Sequence, residues 1–390
     1  MTAIGTILLA VGIGVALYAY VGYPLLLALL GGLRRRGASG DARSDAPAVT
    51  VTIPAYNEER AVADAIEGVL AQEYPADRLH VVVISDASTD RTDEIVLGYA
   101  DRNVELLRQP RRAGKTAAEN ASRQRVRGEI VVNTDASIRL HPRALAALVR
   151  AFHDPTVGVA SGRDVSMSRL EREQNQGESG YVGYEMWIRD LETRLSGIVG
   201  ASGCLFAIRA DLHQTPVPEA LSRDFASALI ARERGFRAVS VKDALCYVPR
   251  TGSLRREYRR KVRTMTRGME TLIHWRHLLN PFRWGGFAWM LCSHKVCRWL
   301  VPWAGAMALV GLAMLATQLA WARWVLLAAV AGIALGAIGW LWPERRRMPR
   351  VVSLPAFALS ANVAALVSSI KALRGQGSPV WEPTRREAVQ

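Results

Sequence analysis

The sequence contains few cysteines and neither of the common glycine-rich nucleotide signatures. Its four cysteines, Cys204, Cys246, Cys292 and Cys297, lack the spacing of metal ligands, and we assign them no chemistry. No Gly-x-Gly-x-x-Gly and no Gly-x-x-x-x-Gly-Lys-Ser/Thr occurs in the chain. These absences argue against a cysteine metal site, a dinucleotide-dependent oxidoreductase and a P-loop enzyme.

Acidic residues are also in deficit. The 390 residues include 50 Lys and Arg against 35 Asp and Glu, which gives a net charge of +15. Between Thr251 and Leu300, eleven Lys and Arg stand against two Glu. Such a basic stretch suits an anionic membrane surface or a polyphosphate. No nucleic-acid-binding motif accompanies it, so we predict no nucleic acid partner.

Charge is absent from three long apolar runs, Ile4–Leu33, Leu300–Trp321 and Val325–Trp342. Each approaches or exceeds the roughly 20 residues that span a hydrocarbon core. A fourth and weaker candidate, Val351–Ile370, contains a proline and an asparagine. These runs predict a multi-pass protein of the plasma membrane.

Basic clusters after the first and third runs predict the orientation. Arg34–Arg36 and Arg345–Arg347 are expected on the cytoplasmic side, together with the catalytic domain. No basic residues precede the first run, so we interpret it as a retained anchor rather than a cleaved signal. A spanning fourth run would place Lys371 and Arg374 outside, and a re-entrant or interfacial segment therefore stays open.

Between the first two apolar runs, short apolar strands alternate with helical patterns. The predicted strands are Ala48–Ile53, His80–Ile84, Val104–Leu107, Ile130–Val132 and Val157–Val165, and a long helix is predicted over Leu170–Leu195. Strands and helices in this alternation predict an α/β fold with a mostly parallel sheet and helices on both faces. The functional loops of such sheets lie at the carboxyl ends of the strands.

Polar motifs occur where four of these strands end. They are Pro54-Ala55-Tyr56-Asn57-Glu58, Ser85-Asp86-Ala87-Ser88-Thr89-Asp90, Arg112-Ala113-Gly114-Lys115 and Thr134-Asp135-Ala136-Ser137. A carboxylate such as Asp135 at this edge suits Mg2+ or Mn2+, whose shell one or two carboxylates and substrate phosphates can complete. Taken alone, Asp135 is equally compatible with a turn or a helix cap.

In order and spacing, these motifs resemble those of family 2 inverting glycosyltransferases, which have the GT-A fold. The similarity covers Val49 to about Arg267, and the apolar segments resemble the membrane-bound branch with cellulose, hyaluronan and poly-N-acetylglucosamine synthases. The resemblance implies an anchor (1–33), a linker (34–47), a GT-A domain (48–250), basic interfacial helices (251–299), transmembrane segments (300–373) and a tail (374–390).

The resemblance also implies roles for individual residues. Pro54, Tyr56 and Glu58 match the turn that contacts the nucleotide, Asp86 matches the carboxylate that binds uracil, and Lys115 matches a basic residue near the base and phosphates. For Tyr56 and Glu58 an ordinary helix start is the alternative.

The metal motif of the family is only partly present. Asp135 matches the first aspartate of Asp-x-Asp, whereas Ser137 occupies the third position. A hydroxyl binds a divalent metal weakly or through water, so the expected Mg2+ or Mn2+ loses one negative ligand.

Leu221-Ser222-Arg223-Asp224-Phe225 resembles the motif that ends in the general base. An inverting transfer needs a carboxylate on the acceptor face of the sugar, and Asp224 stands at the matching place. The positive charge of Arg223 is expected to lower the pKa of Asp224. The preceding Gly200–Cys204 loop resembles the acceptor loop, which implies that Gly203 and Cys204 line the acceptor site; a plain tight turn is the alternative.

The basic stretch resembles the Gln-x-x-Arg-Trp motif of processive synthases, with Arg260 and Arg263 in the first and fourth places. Arg263 is expected to neutralise the diphosphate leaving group. The tryptophan that stacks the acceptor sugar is replaced by Thr264, which weakens the case for a polymerase. A basic helix facing solvent or lipid headgroups is the alternative, and Phe282–Trp299 predicts an aromatic, headgroup-level helix.

The sequence therefore predicts a membrane glycosyltransferase. It would move a sugar from a UDP-sugar donor to a polysaccharide or lipid-linked acceptor with inversion, in exopolysaccharide synthesis and in contact with membrane lipid. The alternatives are transfer of a single sugar to a lipid carrier and a catalytically inactive, polysaccharide-binding membrane scaffold.

Overall fold

The computed structural model describes residues 1–33, 46–167, 176–249, 253–343 and 348–380. The basic clusters Arg34–Arg36 and Arg345–Arg347 lie outside the described residues, as do most of the predicted linker and the end of the tail after residue 380.

Eight strands form one sheet within the described residues. They are β1 Val49–Ala55, β2 Leu79–Ser85, β3 Val104–Arg108, β4 Ile130–Thr134, β5 Arg139–Leu140, β6 Val157–Met167, β7 Leu205–Arg209 and β8 Arg237–Pro249. Their order is β3-β2-β1-β4-β7-β6-β8-β5. The first four are parallel, β7 runs antiparallel between β4 and β6, and β6 is parallel to β8. The predicted α/β sheet is confirmed, and it is mixed.

Helices cover the sheet and continue beyond it. They are α1 Thr2–Leu17, α2 Tyr23–Leu33, α3 Val62–Leu70, α4 Thr92–Leu97, α5 Lys115–Ala121, α6 Ala144–Arg150, α7 Gln176–Leu195, α8 Ala210–His213, α9 Arg223–Glu233, α10 Leu254–His274, α11 Pro281–Trp284, α12 Gly286–Leu291, α13 Arg298–Ala316, α14 Ala320–Leu341 and α15 Arg350–Leu373. Two π-helical turns, Tyr18–Gly22 and Cys292–Cys297, join α1 to α2 and α12 to α13.

The central strands are buried on both faces. Every residue of β1, β2 and β4 is buried, which explains why these strands read as nearly continuous apolar runs. One core lies between the sheet and helices such as α3, which contributes Val62, Ile66 and Val69. A second core joins the sheet's other face to Tyr23 of the first apolar helix and Phe287 of α12. The catalytic fold and the apolar helices therefore share a hydrophobic interface.

Four apolar helical segments are long enough to cross a membrane. They are Thr2–Gly32, Gly286–Ala316, Ala320–Leu341 and Arg350–Leu373. Small residues allow close packing between two of them, since Gly12 lies against Ala304 and Gly5 against Gly311. The fourth segment is an unbroken helix through Pro355, which favours a span over a re-entrant loop.

The second apolar segment begins earlier than predicted, at Gly286 rather than Leu300. Four aromatic rings of the stretch Phe282–Trp299 pack against the domain, whereas Phe282 is 99% exposed, and the headgroup level of this stretch stays a prediction. Phe287 is only 4% exposed within the second core, and Trp289 and Trp299 pack against that core. These rings attach the apolar helix to the sheet domain.

Candidate active site

Two loops at the carboxyl edge of the sheet are bonded to each other. The Oδ1 of Asn57, after β1, accepts a hydrogen bond of 2.8 Å from the amide of Thr89, after β2. The amide of Glu58 donates to Thr92 Oγ1 at 2.9 Å. Asn57 and Ala87 adopt left-handed conformations, with φ of 53° and 57°. The motifs that contain Pro54, Tyr56 and Asp86 therefore form one edge, as their strand-end positions predicted.

Asp86 fixes the turn that leads into α5. It is 2% exposed, and its two carboxylate oxygens accept hydrogen bonds from the amides of Ala113 at 2.7 Å and Gly114 at 2.8 Å. Arg112, in the same turn, places its guanidinium carbon 3.8 Å from the centre of the Tyr56 ring. By fixing this turn, Asp86 sets the position of Lys115 at the start of α5. Contact of Asp86 with a uracil ring stays a prediction.

Lys115 joins the end of β4 to the Gly200–Cys204 loop. Its Nζ donates a hydrogen bond of 2.5 Å to Asp135 Oδ1 and one of 2.8 Å to the carbonyl of Gly203. Burial alone would lower the pKa of Lys115, but the charges of Asp135 and Glu119 outweigh burial, so the pKa is raised. A permanent positive charge therefore lies between the strand edge and the loop.

Asp224 lies on the other side of Gly203. It occupies the first turn of α9, and its Oδ1 accepts a hydrogen bond of 2.6 Å from Ser222 Oγ. A Cβ atom built on Gly203 would lie 3.0 Å from Asp224 Oδ2, so the glycine lets the loop backbone approach the carboxylate. Around Gly203 the structure brings together Lys115, Asp135 and Asp224. Cys204 continues this loop, and its carbonyl accepts a hydrogen bond of 3.1 Å from Thr134 Oγ1.

Sequence reasoning missed Glu119, which lies beneath Lys115. It is 1% exposed, and its Oε1 lies 3.9 Å from Lys115 Nζ. Burial raises the pKa of Glu119 to about 7, although the charges of Lys115 and Arg223 act to lower it. The four-residue spacing from Lys115 on α5 was the signal that could have indicated this pair.

Arg223 is turned away from Asp224. Its guanidinium donates to Asn120 Oδ1 at 2.5 Å and to the His213 carbonyl at 2.6 Å. Arg223 therefore bonds Asn120 and His213 rather than Asp224, and the expected effect of its charge on Asp224 stays a prediction. Neighbouring residues on a helix point about 100° apart, which separates the two side chains.

Arg267 is a second residue that sequence reasoning missed. It is 9% exposed and donates to the Leu221 carbonyl at 2.5 Å and to Thr116 Oγ1 at 2.7 Å. It also donates to the Ala220 carbonyl at 3.2 Å. Arg267 therefore ties the segment before Asp224 to α5, next to Lys115.

The two arginines predicted to bind diphosphate lie on α10. Arg260 pairs with Glu257 on the same helix through contacts of 2.6 and 3.0 Å. Arg263 lines a cavity of about 240 Å3 between α10 and α15, together with Arg259 and Lys371. Contact of Arg260 or Arg263 with a diphosphate stays a prediction.

The chain returns to this region after α15. The amide of Gly377 donates to Glu270 Oε1 on α10 at 2.7 Å. The carbonyl of Pro379 packs directly against Gly114, where a side chain would collide with it. The last described residues therefore contact the turn that carries Lys115.

The sequence and fold of this chain are similar to those of known glycosyltransferases. Residues 50–215 match the family model of Glycosyl transferase family 2. An N-acetylglucosaminyltransferase from Rhizobium leguminosarum bv. trifolii is 32% identical over 134 residues, which cover 33% of this chain and 72% of that protein. The chain belongs to glycosyl transferase family 2. The predicted enzyme class, a glycosyltransferase, is thereby confirmed.

Other relatives of this glycosyltransferase include a beta-monoglucosyldiacylglycerol synthase from Nostoc sp., 27% identical over 169 residues that cover 42% of this chain and 36% of that protein. The chain spans 48%, 53% and 32% of the length of three further N-acetylglucosaminyltransferases. The solved structure of a mannosyltransferase from Pyrobaculum calidifontis, in complex with GDP-Man and Mn2+, superimposes on this chain with a TM-score of 0.71. The two sequences are 25% identical, and the superposition covers 96% of this chain and 99% of the mannosyltransferase. The predicted GT-A fold is confirmed.

The donor atoms of this glycosyltransferase fit a metal only in part. Asp135 Oδ2 makes no hydrogen bond or ion pair with any described residue, whereas Oδ1 is bonded to Lys115. Ser137, two residues later, is partly buried. No group of three or more His, Cys, Asp or Glu that could hold a metal occurs among the described residues. This donor set suits an ion whose remaining ligands are water and substrate phosphate oxygens.

Proposed function

We propose that this glycosyltransferase moves a sugar from a UDP-sugar to a carbohydrate or lipid-linked acceptor at the membrane, with inversion of the anomeric carbon. The observation that carries the proposal is the meeting of Lys115, Asp135 and Asp224 around Gly203. A carboxylate base lies on one side of the loop and a cation beside a metal-binding carboxylate on the other.

Asp224 acts as the general base in this proposal. It takes the proton of the acceptor hydroxyl while that oxygen attacks the anomeric carbon. The bond from that carbon to the phosphate oxygen breaks, and its electron pair leaves with UDP. Attack opposite the leaving group inverts the anomeric centre, so an α-linked donor gives a β-linked product. Ser222, which donates to Asp224 at 2.6 Å, orients the carboxylate.

Lys115 and Asp135 serve the leaving group. The raised pKa of Lys115 keeps its ammonium protonated, and Arg263 supplies a further cation if donor binding draws α10 toward the diphosphate. Asp135, assisted by Ser137, would hold Mg2+ or Mn2+, which when bound neutralises charge on the diphosphate. The Mn2+ in the mannosyltransferase structure supports this assignment.

Pro54, Tyr56, Glu58 and Asp86 form the nucleotide edge in this proposal. Arg112 over Tyr56 leaves an aromatic and cationic surface at the mouth of the two loops, which suits a base and its phosphates. Asp86 contributes by holding the turn in place.

The four apolar helices support a multi-pass protein of the plasma membrane. The basic clusters Arg34–Arg36 and Arg345–Arg347 favour a cytoplasmic side for the sheet domain. Their shared core with the sheet domain keeps the active site near membrane lipid. The acceptor is therefore drawn from molecules at the membrane, either a growing exopolysaccharide or a lipid-linked sugar. Thr264, in place of the stacking tryptophan, and Ser137 favour single transfer to a lipid carrier as the second candidate.

The test is transfer by the purified protein in lipid nanodiscs. Labelled UDP-sugars and GDP-mannose are supplied with Mn2+ or Mg2+ and membrane lipid extract, and product length and anomeric configuration are measured by gel and NMR. Asp224→Asn is expected to abolish transfer while UDP binding persists. Asp243→Asn, an exposed carboxylate on β8, is the matched control and should retain activity.

A polymeric product would support a growing exopolysaccharide as the acceptor. A single added sugar would support transfer to a lipid carrier. If wild type binds UDP but neither transfers nor hydrolyses any donor, catalysis by Asp224 is refuted. An inactive membrane scaffold then explains the chain better.

A further inference from the structure

A second cluster of buried charges lies where α7 meets the apolar helices. Glu185, Arg189 and Glu192 share one face of α7, because they are four and seven residues apart. Facing them are His294, Lys295 and Arg298, from the π-helical turn and the first residue of α13. None of these residues belongs to the group around Lys115 and Asp224.

The carboxylates of this cluster are already engaged. Glu185 Oε2 accepts a hydrogen bond of 2.7 Å from Arg298, and its Oε1 lies 2.9 Å from His294 Nε2. Glu192 Oε1 lies 2.6 Å from His294 Nδ1 and accepts a hydrogen bond of 2.5 Å from Tyr23. Both acids are therefore held by neighbours other than Lys295.

The cations exceed the acids. Arg189, Lys295 and Arg298 stand against Glu185 and Glu192, even when His294 is counted as neutral. Among the described residues Lys295 has no hydrogen-bond or ion-pair partner, and its Nζ lies 5.3 Å from the centre of the Phe225 ring. Arg189 Nε lies 3.5 Å from Glu185 Oε1 and Arg298 Nη1 lies 2.7 Å from Glu185 Oε2, so the two arginines share one carboxylate. Arg189 Nε and Arg298 Nε and Nη2 are buried and make no hydrogen bond with a described residue. Lys295 therefore carries a positive charge that no described carboxylate pairs, and the buried guanidinium nitrogens beside it offer further hydrogen-bond donors to an anion.

The free ammonium lies beside the acceptor loop. A Cβ atom built on Gly200 would lie 3.8 Å from Lys295 Cε and 3.1 Å from the Phe225 ring. Gly200 begins the loop that contains Gly203, and Phe225 directly follows Asp224. Lys295 is partly exposed, unlike Arg189 and Arg298, and belongs to the apolar segment Gly286–Ala316. The cluster thus lies between the membrane helix and the base.

We propose that Lys295, with Arg189 and Arg298, binds the phosphate of a lipid-linked acceptor. This inference rests on the proposed function, since it assigns the acceptor class to the Asp224 side of the site. A neutral glycan would leave the surplus charge unpaired, whereas a phosphate or diphosphate at this place balances it. The lipid tail would extend along the apolar helix, and the group to be glycosylated would extend toward Asp224.

The experiment measures binding of labelled geranylgeranyl phosphate to the full chain in phosphatidylcholine nanodiscs, with UDP binding measured in parallel. Lys295→Gln should weaken binding of this probe about 10- to 100-fold, the loss expected when one charged hydrogen bond is removed. Lys295→Arg should retain most of the affinity. UDP affinity should stay unchanged in both variants. Arg283→Gln removes an exposed interfacial cation and should bind like wild type.

Wild-type protein supplies a test that does not depend on folding of a variant. Geranylgeraniol, which lacks the phosphate, should compete at least 10-fold more weakly than unlabelled geranylgeranyl phosphate. Equal competition by the alcohol would overturn the proposal. Displacement by equimolar phosphatidylglycerol or by inorganic phosphate would overturn the assignment to a lipid-linked acceptor. Intact UDP binding with no phosphate preference would refute this site without affecting the proposed reaction.

Discussion

Glu119→Gln tests the electrostatic environment beneath the active site. Glu119 is almost fully buried, and its nearest fixed charge is Lys115 at 3.9 Å. Burial raises its pKa from the ordinary 4.5 to about 7 in the folded protein. Because the folded state binds this proton more tightly than the unfolded state, the protein loses stability as pH rises from about 4.5 through 7. Above pH 7 the side chain is charged in both states, and the full penalty remains.

The size of the penalty follows from the two pKa values. A separation between 4.5 and about 7 corresponds to ~3 kcal/mol at roughly 1.4 kcal/mol per pH unit. For a domain of about 200 residues, each kcal/mol changes the melting temperature by about 2–4 °C. Glutamine has nearly the same shape and no charge to bury. Part of this penalty is already present at pH 5, so ~2.5 kcal/mol of it develops between pH 5 and pH 8. The difference in melting temperature between Glu119→Gln and wild type should therefore grow in favour of the variant by about 5–10 °C over that range.

The measurement is thermal unfolding in nanodiscs, followed by tryptophan fluorescence at pH values from 5 to 8. Other groups titrate over this range, and comparison of variant with wild type cancels their contributions. Glu73→Gln, whose side chain is 63% exposed, serves as the control and should follow the wild-type profile. A difference between Glu119→Gln and wild type that is constant with pH would refute the buried, proton-binding state of Glu119.

Three further predictions concern residues that position the site. Gly203→Ala should lower kcat about 10- to 100-fold, because the added Cβ would lie 3.0 Å from Asp224 Oδ2 and displace the carboxylate. The control is Gly68→Ala, which has open space around its Cβ and should leave kcat unchanged. Equal kcat in the two would contradict close packing of Gly203 on the base. Arg267→Met should lower kcat, and it should lower the free energy of unfolding by about 1–3 kcal/mol for each buried acceptor left unsatisfied. The control is Arg255→Met at an exposed position, which should change neither quantity. Unfolding in urea checks this, and an unchanged midpoint would count against the tie to α5. Glu270→Gln should weaken the 2.7 Å hydrogen bond from the Gly377 amide and so speed proteolysis of the chain after Arg374. A proteolysis rate equal to that of wild type would mean that other contacts hold the tail.

Sequence patterns predicted those parts of the fold that depend on local order. The buried strands β1, β2 and β4 are rich in Val and Ile, and acidic or polar residues follow them, so Asp86 and Asp135 could be placed at one edge. The antiparallel strand β7 was missed, although Leu205–Arg209 is a short apolar run. Its position between β4 and β6 depends on pairing with strands distant in sequence, which periodicity does not report.

Side-chain partners across the fold were harder to predict than positions along it. Arg267 looked like one more cation of a basic helix, but it bonds carbonyls of the segment before Asp224. Arg223 stands next to Asp224 in sequence and faces His213 in space. The spacing of charges along a helix predicts which face they share, whereas the tertiary fold decides whether that face meets solvent or a buried acceptor.

The Gly200–Cys204 loop connects the two chemical halves of the site. Lys115 bonds the carbonyl of Gly203 on the side proposed for the leaving group, and the same glycine packs against Asp224 on the side proposed for the acceptor. At its other end the loop approaches Lys295 through Gly200. A shift of this backbone would change all three positions together, because a glycine offers no side chain that could adjust independently. In the proposed reaction, the loop therefore sets the distance between donor and acceptor.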